Sequence, residues 1–194
     1  MKDIILNEIE ENISVNQDLI RTSIDSIEKA AELMNSVIKS GNKILWCGNG
    51  GSAADAQHLA TELMGGMGNY DRRPIPSIAL TTDSSFLTAW SNDTDFESIF
   101  SRQIQGIGKE NDLLIGISTS GNSANIIAAI KQAKFKRLNT ILFTGKTGGK
   151  MASLADVTIF VPSENTQRIQ ESHIMIGQIP VSYTHLRAHE TPLH

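Results

Sequence analysis

The chain reads as α/β: a doubly wound, five-stranded parallel sheet of the flavodoxin-like or Rossmann-like kind, with an N-terminal helical extension. Three observations predict this. Five short apolar runs lack polar alternation, as strands covered on both faces do. Helical stretches separate those runs, and strand–helix alternation implies right-handed crossovers and a parallel sheet. Two strand-to-helix junctions are rich in glycine and hydroxyl residues, and open α/β sheets bind ligands at the carboxyl ends of their strands.

The elements follow in order. Ile5, Ile9 and Ile13 recur at four-residue spacing. Leu19, Ile20, Ile27, Ala30, Ala31, Met34, Val37 and Ile38 extend a wide apolar stripe, so the first forty residues read as helix. Gly41-Asn42 is a left-handed stop. The stripe suits core packing or a helix pair seated on a neighbouring subunit. Strands are expected at Lys43–Cys47, Ile75–Leu80, Leu113–Ile117, Thr140–Phe143 and Val157–Val161. Helices are expected to start near Ser52, Ser84, Asp95, Ser123, Gly149 and Glu164.

Composition limits the function classes. The chain has 194 residues, 40% hydrophobic and 20% charged, which suits one domain. Lys and Arg number 17 against 21 Asp and Glu, a net charge of -4. Without a basic block or an aromatic platform, no nucleic-acid partner is expected. The single cysteine, Cys47, excludes an intrachain disulfide and a cysteine-based zinc site. No apolar run has transmembrane length and the start does not resemble a signal peptide, so no membrane partner and a cytoplasmic location are expected.

The two polar junctions are Cys47-Gly48-Asn49-Gly50-Gly51-Ser52 and Ser118-Thr119-Ser120-Gly121-Asn122-Ser123. Glycines admit close backbone approach, and helix N-terminal amides with serine hydroxyls donate to an anion. Neither loop carries a lysine or arginine, which suits a sugar phosphate better than a triphosphate. Serine and glycine are also ordinary turn and cap residues, but two such loops on one sheet favour a phosphate site. Gly48-x-Gly50-x-x-Ala53 lacks the acid that a dinucleotide site needs about 20 residues on, at the end of the next strand: that strand ends near Leu80, and the nearest acid after it, Asp83, is too far along. Gly145-Lys146-Thr147 lacks the leading glycine of a P-loop, since Thr140 stands there, and Gly148-Gly149 follows instead of a long helix.

His58 and Glu62 are four apart on the helix after the first loop and share a face. They could bind a metal or move a proton, or they could be an exposed pair. Asn92-Asp93 closes the helical stretch Ser84–Ser91, as a stop or as a partner for sugar hydroxyls. On the final helix, Gln170, His173 and Gly177 lie near one face, with Gln178 two turns beyond Gln170. Asp112 and Asp156 open strands and read as structural.

The segments CGNGGSAADAQHLATEL, ALTTD, SND, FSRQI, IGISTSGNSANIIAAI, LFTGKTGGKMA and TQRIQESHI resemble the phosphoheptose isomerases of the sugar isomerase (SIS) domain superfamily. The resemblance runs from about Lys2 to Ile179. It implies a homotetramer with active sites between subunits. It implies conversion of sedoheptulose 7-phosphate to D-glycero-D-manno-heptose 7-phosphate through an enediol, in heptose and lipopolysaccharide precursor synthesis. By matching positions, Asn49, Gly50, Gly51 and Ser52 would contact substrate, and Ser118, Thr119, Ser120 and Ser123 would complete the phosphate cradle. Asn92 and Asp93 would meet sugar hydroxyls. Glu62 would be the catalytic base. Gln170 would touch substrate, and His58, Glu62 and Gln170 would hold one zinc ion per subunit.

One departure stands out. The family's last catalytic position is a histidine, and here it is Gln178, which is no acid or base near neutral pH and a poor zinc ligand. Ring opening and proton shuttling would suffer. A non-catalytic sugar-phosphate- or protein-binding tetramer of the replication-initiator-binding type is one alternative, although it would not need Glu62. An isomerase of another phosphosugar is a second. Pro180 is expected to break the final helix, which gives a folded unit of 1–179 and a non-native or disordered tail of 180–194, an assembly or read-through scar that could include Gln178. His185 and His189 in that tail carry no metal reading.

Overall fold

A computed structural model describes residues 1–68 and 70–188, with 183–188 as backbone only. Five parallel strands form one sheet in the order β2-β1-β3-β4-β5. They are β1 (Ile44–Gly48), β2 (Ser77–Ala79), β3 (Leu113–Ser118), β4 (Asn139–Thr144) and β5 (Val157–Phe160). All four pairings are parallel, and β1 with β3 in register Ile44↔Leu113 sits at the centre. The chain starts at β1, winds outward to β2, then reverses through β3 to β5. That reversal puts the topological switch point between β1 and β3, where this class of sheet binds ligands.

The helices are α1 (Lys2–Thr22), α2 (Ile24–Lys39), α3 (Gly51–Gly65), α4 (Ser84–Asp93), α5 (Ile99–Ile107), α6 (Ala124–Phe135) and α7 (Thr166–Ala188). A 3-10 turn, Gly149–Met151, replaces the helix expected near Gly149. Alternate strand residues face opposite layers. Ile44, Trp46, Ile115 and Phe143 pack with α1, α2, α3 and α7. Leu45, Cys47, Leu114 and Leu142 pack with α5 and α6. Covering both faces explains the missing polar alternation in the strands.

The first forty residues, read as helix, form the two helices α1 and α2. Ser23, buried at φ -130°, breaks the run and donates its hydroxyl to the Phe160 carbonyl at 2.7 Å, tying the α1–α2 corner to β5. The final helix does not stop at the expected break, Pro180. It continues to Ala188 with Pro180 inside it. A mid-helix proline costs about 3 kcal/mol. Val181 is fully buried in the core beside α7's other apolar residues, and burying a valine offsets most of that cost, about 1.5–3 kcal/mol. The packed unit therefore passes the expected boundary at 179. His189 and His194 lie outside the described residues, as does the side chain of His185.

Gly41 ends α2 as expected, at φ 76°, with Asn42 donating back to the Val37 carbonyl. Asp112 is buried and accepts from the Lys43 and Lys109 amides at 3.1 and 2.8 Å, and Asp156 accepts from Thr140. Both are structural. Among the described residues no helix is long and apolar enough to cross a membrane.

Candidate functional site

The two glycine–serine loops lie side by side at the ends of β1 and β3. Asn49 and Asn125 join them by a reciprocal amide pair at 2.9 and 2.8 Å. Asn125, buried in the first turn of α6, has no warning in the sequence beyond its place after Ser123. Gly50 sits at φ 55°, ψ -121°, a region closed to side chains, and turns the chain into α3. Ser52 is buried at the start of that helix. In the second loop the Ser118 and Ser123 hydroxyls are 3.0 Å apart. Ser123 caps α6 without using its side chain, so its hydroxyl is not committed to the helix. Ser120 and Thr119 line a cavity of about 260 Å³. The loops thus aim helix N-termini and hydroxyls at one end of the sheet.

Helix α7 runs alongside α3 and completes the site. A Cβ on Gly51 would collide with the Gln170 amide, so the bare glycine is what lets Gln170 reach the first loop. Two turns beyond Gln170 along α7, a Cβ on Gly177 would enter Leu59. Beyond that contact, Gln178 Nε2 donates to Glu62 Oε1 at 2.9 Å. His58 Nε2 meets the same Glu62 oxygen at 2.9 Å. Glu62 is 12% exposed, and its other oxygen, Oε2, is buried with no hydrogen-bond partner among the described residues. A carboxylate held at one oxygen and free at the other is arranged to take a proton at the free one.

Two residues near Glu62 have no counterpart in the sequence reading. Asp55 lies one turn before His58, on the same α3 face. Burial pushes its carboxyl up to about 6, and His58 pulls the other way. The i, i+3, i+7 spacing of Asp55, His58 and Glu62 was the available signal. Arg72 donates from Nη2 to the Glu62 and Leu63 carbonyls at 2.7 and 2.6 Å, closing the C-terminal end of the helix that carries Glu62. A cation there also complements the helix dipole.

Asn92 and Asp93 lie inside α4, which runs past Ser91 to Asp93. Both are exposed and bond to each other at 2.8 Å, and no hydrogen bond among the described residues joins them to Glu62, Gln170 or the loops. Arg168 and Glu171 tie α7 to α1 through Glu8 and Asn12. His173 is fully buried with its ring 6.0 Å from Phe143. Burial pushes it down to about 4, with a smaller opposing pull from the Thr144 main chain. It faces the sheet, not Glu62. The larger cavity, about 530 Å³, lies between α3 and the edge strand β2 and touches this constellation only at His58.

The donor set does not fit a zinc ion well. His58 and Glu62 are zinc-grade ligands, while Gln170 and Gln178 offer amides and Gln178 spends its N–H on Glu62. Among the described residues no group of three His, Cys, Asp or Glu converges.

Comparison with known proteins points one way. A model of the SIS domain family matches residues 9–145. A phosphoheptose isomerase of Aneurinibacillus thermoaerophilus is 51% identical over 92% of this chain and 91% of its own length. The solved phosphoheptose isomerase GmhA of Neisseria gonorrhoeae superposes with a TM-score of 0.88 at 42% identity, covering 94% of this chain and 97% of that one. A phosphoheptose isomerase from Francisella tularensis gives a TM-score of 0.92 at 34% identity, over 95% and 97% of the two chains.

Proposed function

This chain belongs to the SIS domain family, among its phosphoheptose isomerases, and we propose that Glu62 is the base with which it interconverts sedoheptulose 7-phosphate and the corresponding aldose phosphate. The observation that carries the role is the free, buried Oε2 of Glu62, whose partner oxygen is held by His58 and Gln178.

The reaction is an aldose–ketose isomerisation. Glu62 Oε2 takes the proton from C1 of the ketose while the C2 oxygen gains one, and the enediol forms. Returning the carbon proton to C2 while the C1 hydroxyl loses its proton yields the aldose. The Ser52 and Ser118–Ser123 loops hold the phosphate end through hydroxyls and helix amides, and Gln170 closes the first loop over the sugar. His58 and Gln178 fix the Glu62 rotamer. Gln178 can donate a hydrogen bond to an enediol oxygen but cannot exchange a proton with it, so oxygen-to-oxygen transfer is slow in this chain. Asn92 and Asp93 reach sugar hydroxyls only if α4 closes on the site or substrate extends to it.

We further propose a homotetramer located in the cytoplasm, serving heptose supply for lipopolysaccharide, with no nucleic-acid partner. The tetramer is supported by the exposed apolar residues of α1: Ile5, Ile9 and Ile13 are each at least half exposed.

One experiment tests the chemistry. Purified protein is incubated with sedoheptulose 7-phosphate and aldose formation is followed. Glu62→Gln should lower kcat by roughly 10²–10⁴-fold, and Gln178→His should raise it by about 10²-fold. Turnover undiminished in Glu62→Gln removes Glu62 as the base.

A further inference from the structure

The segment Gly145–Lys150, which follows β4 and has the look of a truncated P-loop, is docked on the phosphate loop. The Gly145 amide donates to the Thr119 carbonyl at 3.1 Å, and the Met151 amide donates to the Gly121 carbonyl at 3.1 Å. Lys150's amide donates to Asn122 Oδ1 at 3.0 Å. A Cβ at Gly121 would run into the Gly148 carbonyl, and one at Gly149 into the Ser120 carbonyl. The two loops are thus packed backbone against backbone.

This docking carries Lys146 to the phosphate loop. Its amide is held by the Ser163 carbonyl at 3.2 Å, and Lys146 lines the cavity of about 260 Å³ together with Thr119, Ser120, Thr147 and Ser163. Lys146 is exposed, and among the described residues it forms no ion pair. The two glycine–serine loops contain no cation, so a phosphate dianion bound there has only neutral donors on their side. We propose that Lys146 is a substrate-binding residue, the cation that neutralises the phosphate of the sugar phosphate, and that the Gly145–Lys150 segment is the second wall of the phosphate site. The proposal rests on the isomerase reading for its substrate, and on the cavity for its chemistry. Glu164 lines the same cavity, exposed and without an ion pair among the described residues, and opposes the lysine's field.

Inorganic phosphate is the probe that separates the two readings, since its binding needs no turnover. Calorimetric titration of the full chain with phosphate should give an affinity that falls roughly tenfold in Lys146→Met, as loss of a charge-assisted hydrogen bond implies. It should be kept in Lys146→Arg and raised in Glu164→Gln. With sedoheptulose 7-phosphate, Lys146→Met should raise KM by a similar factor while kcat stays within about twofold, as for an interaction made equally in ground and transition states. Equal phosphate affinity in the wild type and Lys146→Met overturns the proposal, as does an unchanged KM in an active enzyme. Lysine-dependent phosphate binding in a chain that does not turn over the heptulose phosphate supports the site and counts against the isomerase reading alone.

Discussion

At Glu62 the surroundings decide the chemistry. A glutamate on a helix is ordinarily solvated, but here one oxygen accepts from two neighbours and the other is buried and unbonded. The unbonded oxygen is the kind of unsatisfied group that a folded chain keeps only where a ligand fills it. His173 shows the reverse outcome on the same final helix. It is a histidine close in sequence to the site, yet burial against Phe143 makes it inert and neutral. Its folded value, about 4, lies below the ordinary 6.5. The unfolded chain therefore takes up a proton that the folded chain refuses. The corresponding stability is present above pH 6.5 and is lost as pH falls through about 4. His173→Leu should flatten the pH dependence of the urea midpoint across that window. An unchanged slope would mean that other groups govern acid sensitivity.

At the scale of elements, the site depends on the α3–α7 pair. Three contacts align them: Gly51 with Gln170, Leu59 with Gly177, and Glu62 with Gln178. Two of these need a glycine because the helices approach so closely. Gly177→Ala would push a methyl into buried Leu59, and overpacking of that kind costs about 1–3 kcal/mol. Thermal unfolding should register that loss. Isomerase activity should fall further than stability explains, because the same shift separates Gln178 from Glu62. A variant destabilised but fully active would show that the pairing is not needed for the chemistry. The periodicity of Ala30, Met34 and Val37 revealed a helix, but not that Ser23 would split the N-terminal run by bonding to Phe160, 137 residues away. Nor did Pro180 reveal that α7 would continue past it, since the compensating burial of Val181 comes from other elements.

For the whole molecule, the unfinished surface is the outer face of α1. Ile4, Ile5, Leu6, Ile9 and Ile13 are exposed along the first half of a helix whose second half buries Val15 and Leu19. A stripe of this size on one helix calls for a cover, and the proposed homotetramer supplies one. Ile5→Glu with Ile9→Glu should shift the mass in light scattering from four chains toward smaller species. Activity should fall with it if sites lie between subunits. A double variant that remains tetrameric would place the contact elsewhere.

The amino-acid order alone determined the α/β class, five apolar strands near their observed places, and the two glycine–serine loops at the strand ends. It also singled out His58 with Glu62, and the glutamine at position 178. These are local patterns, set by the repeat of a strand or helix and by what glycine permits. Tertiary structure alone decided that Asn49 pairs with Asn125, that Gln178 reaches a carboxylate 116 residues earlier, that Arg72 closes α3, and that Lys146 lines the same cavity as Ser120. Asn92 and Asp93 were legible as candidates, but whether they meet the site depends on where α4 packs; here they bond to each other at the end of α4. The physical reason is range. Periodicity reports what a segment buries, while a site is made by which segments bury against each other, and only the folded core sets that.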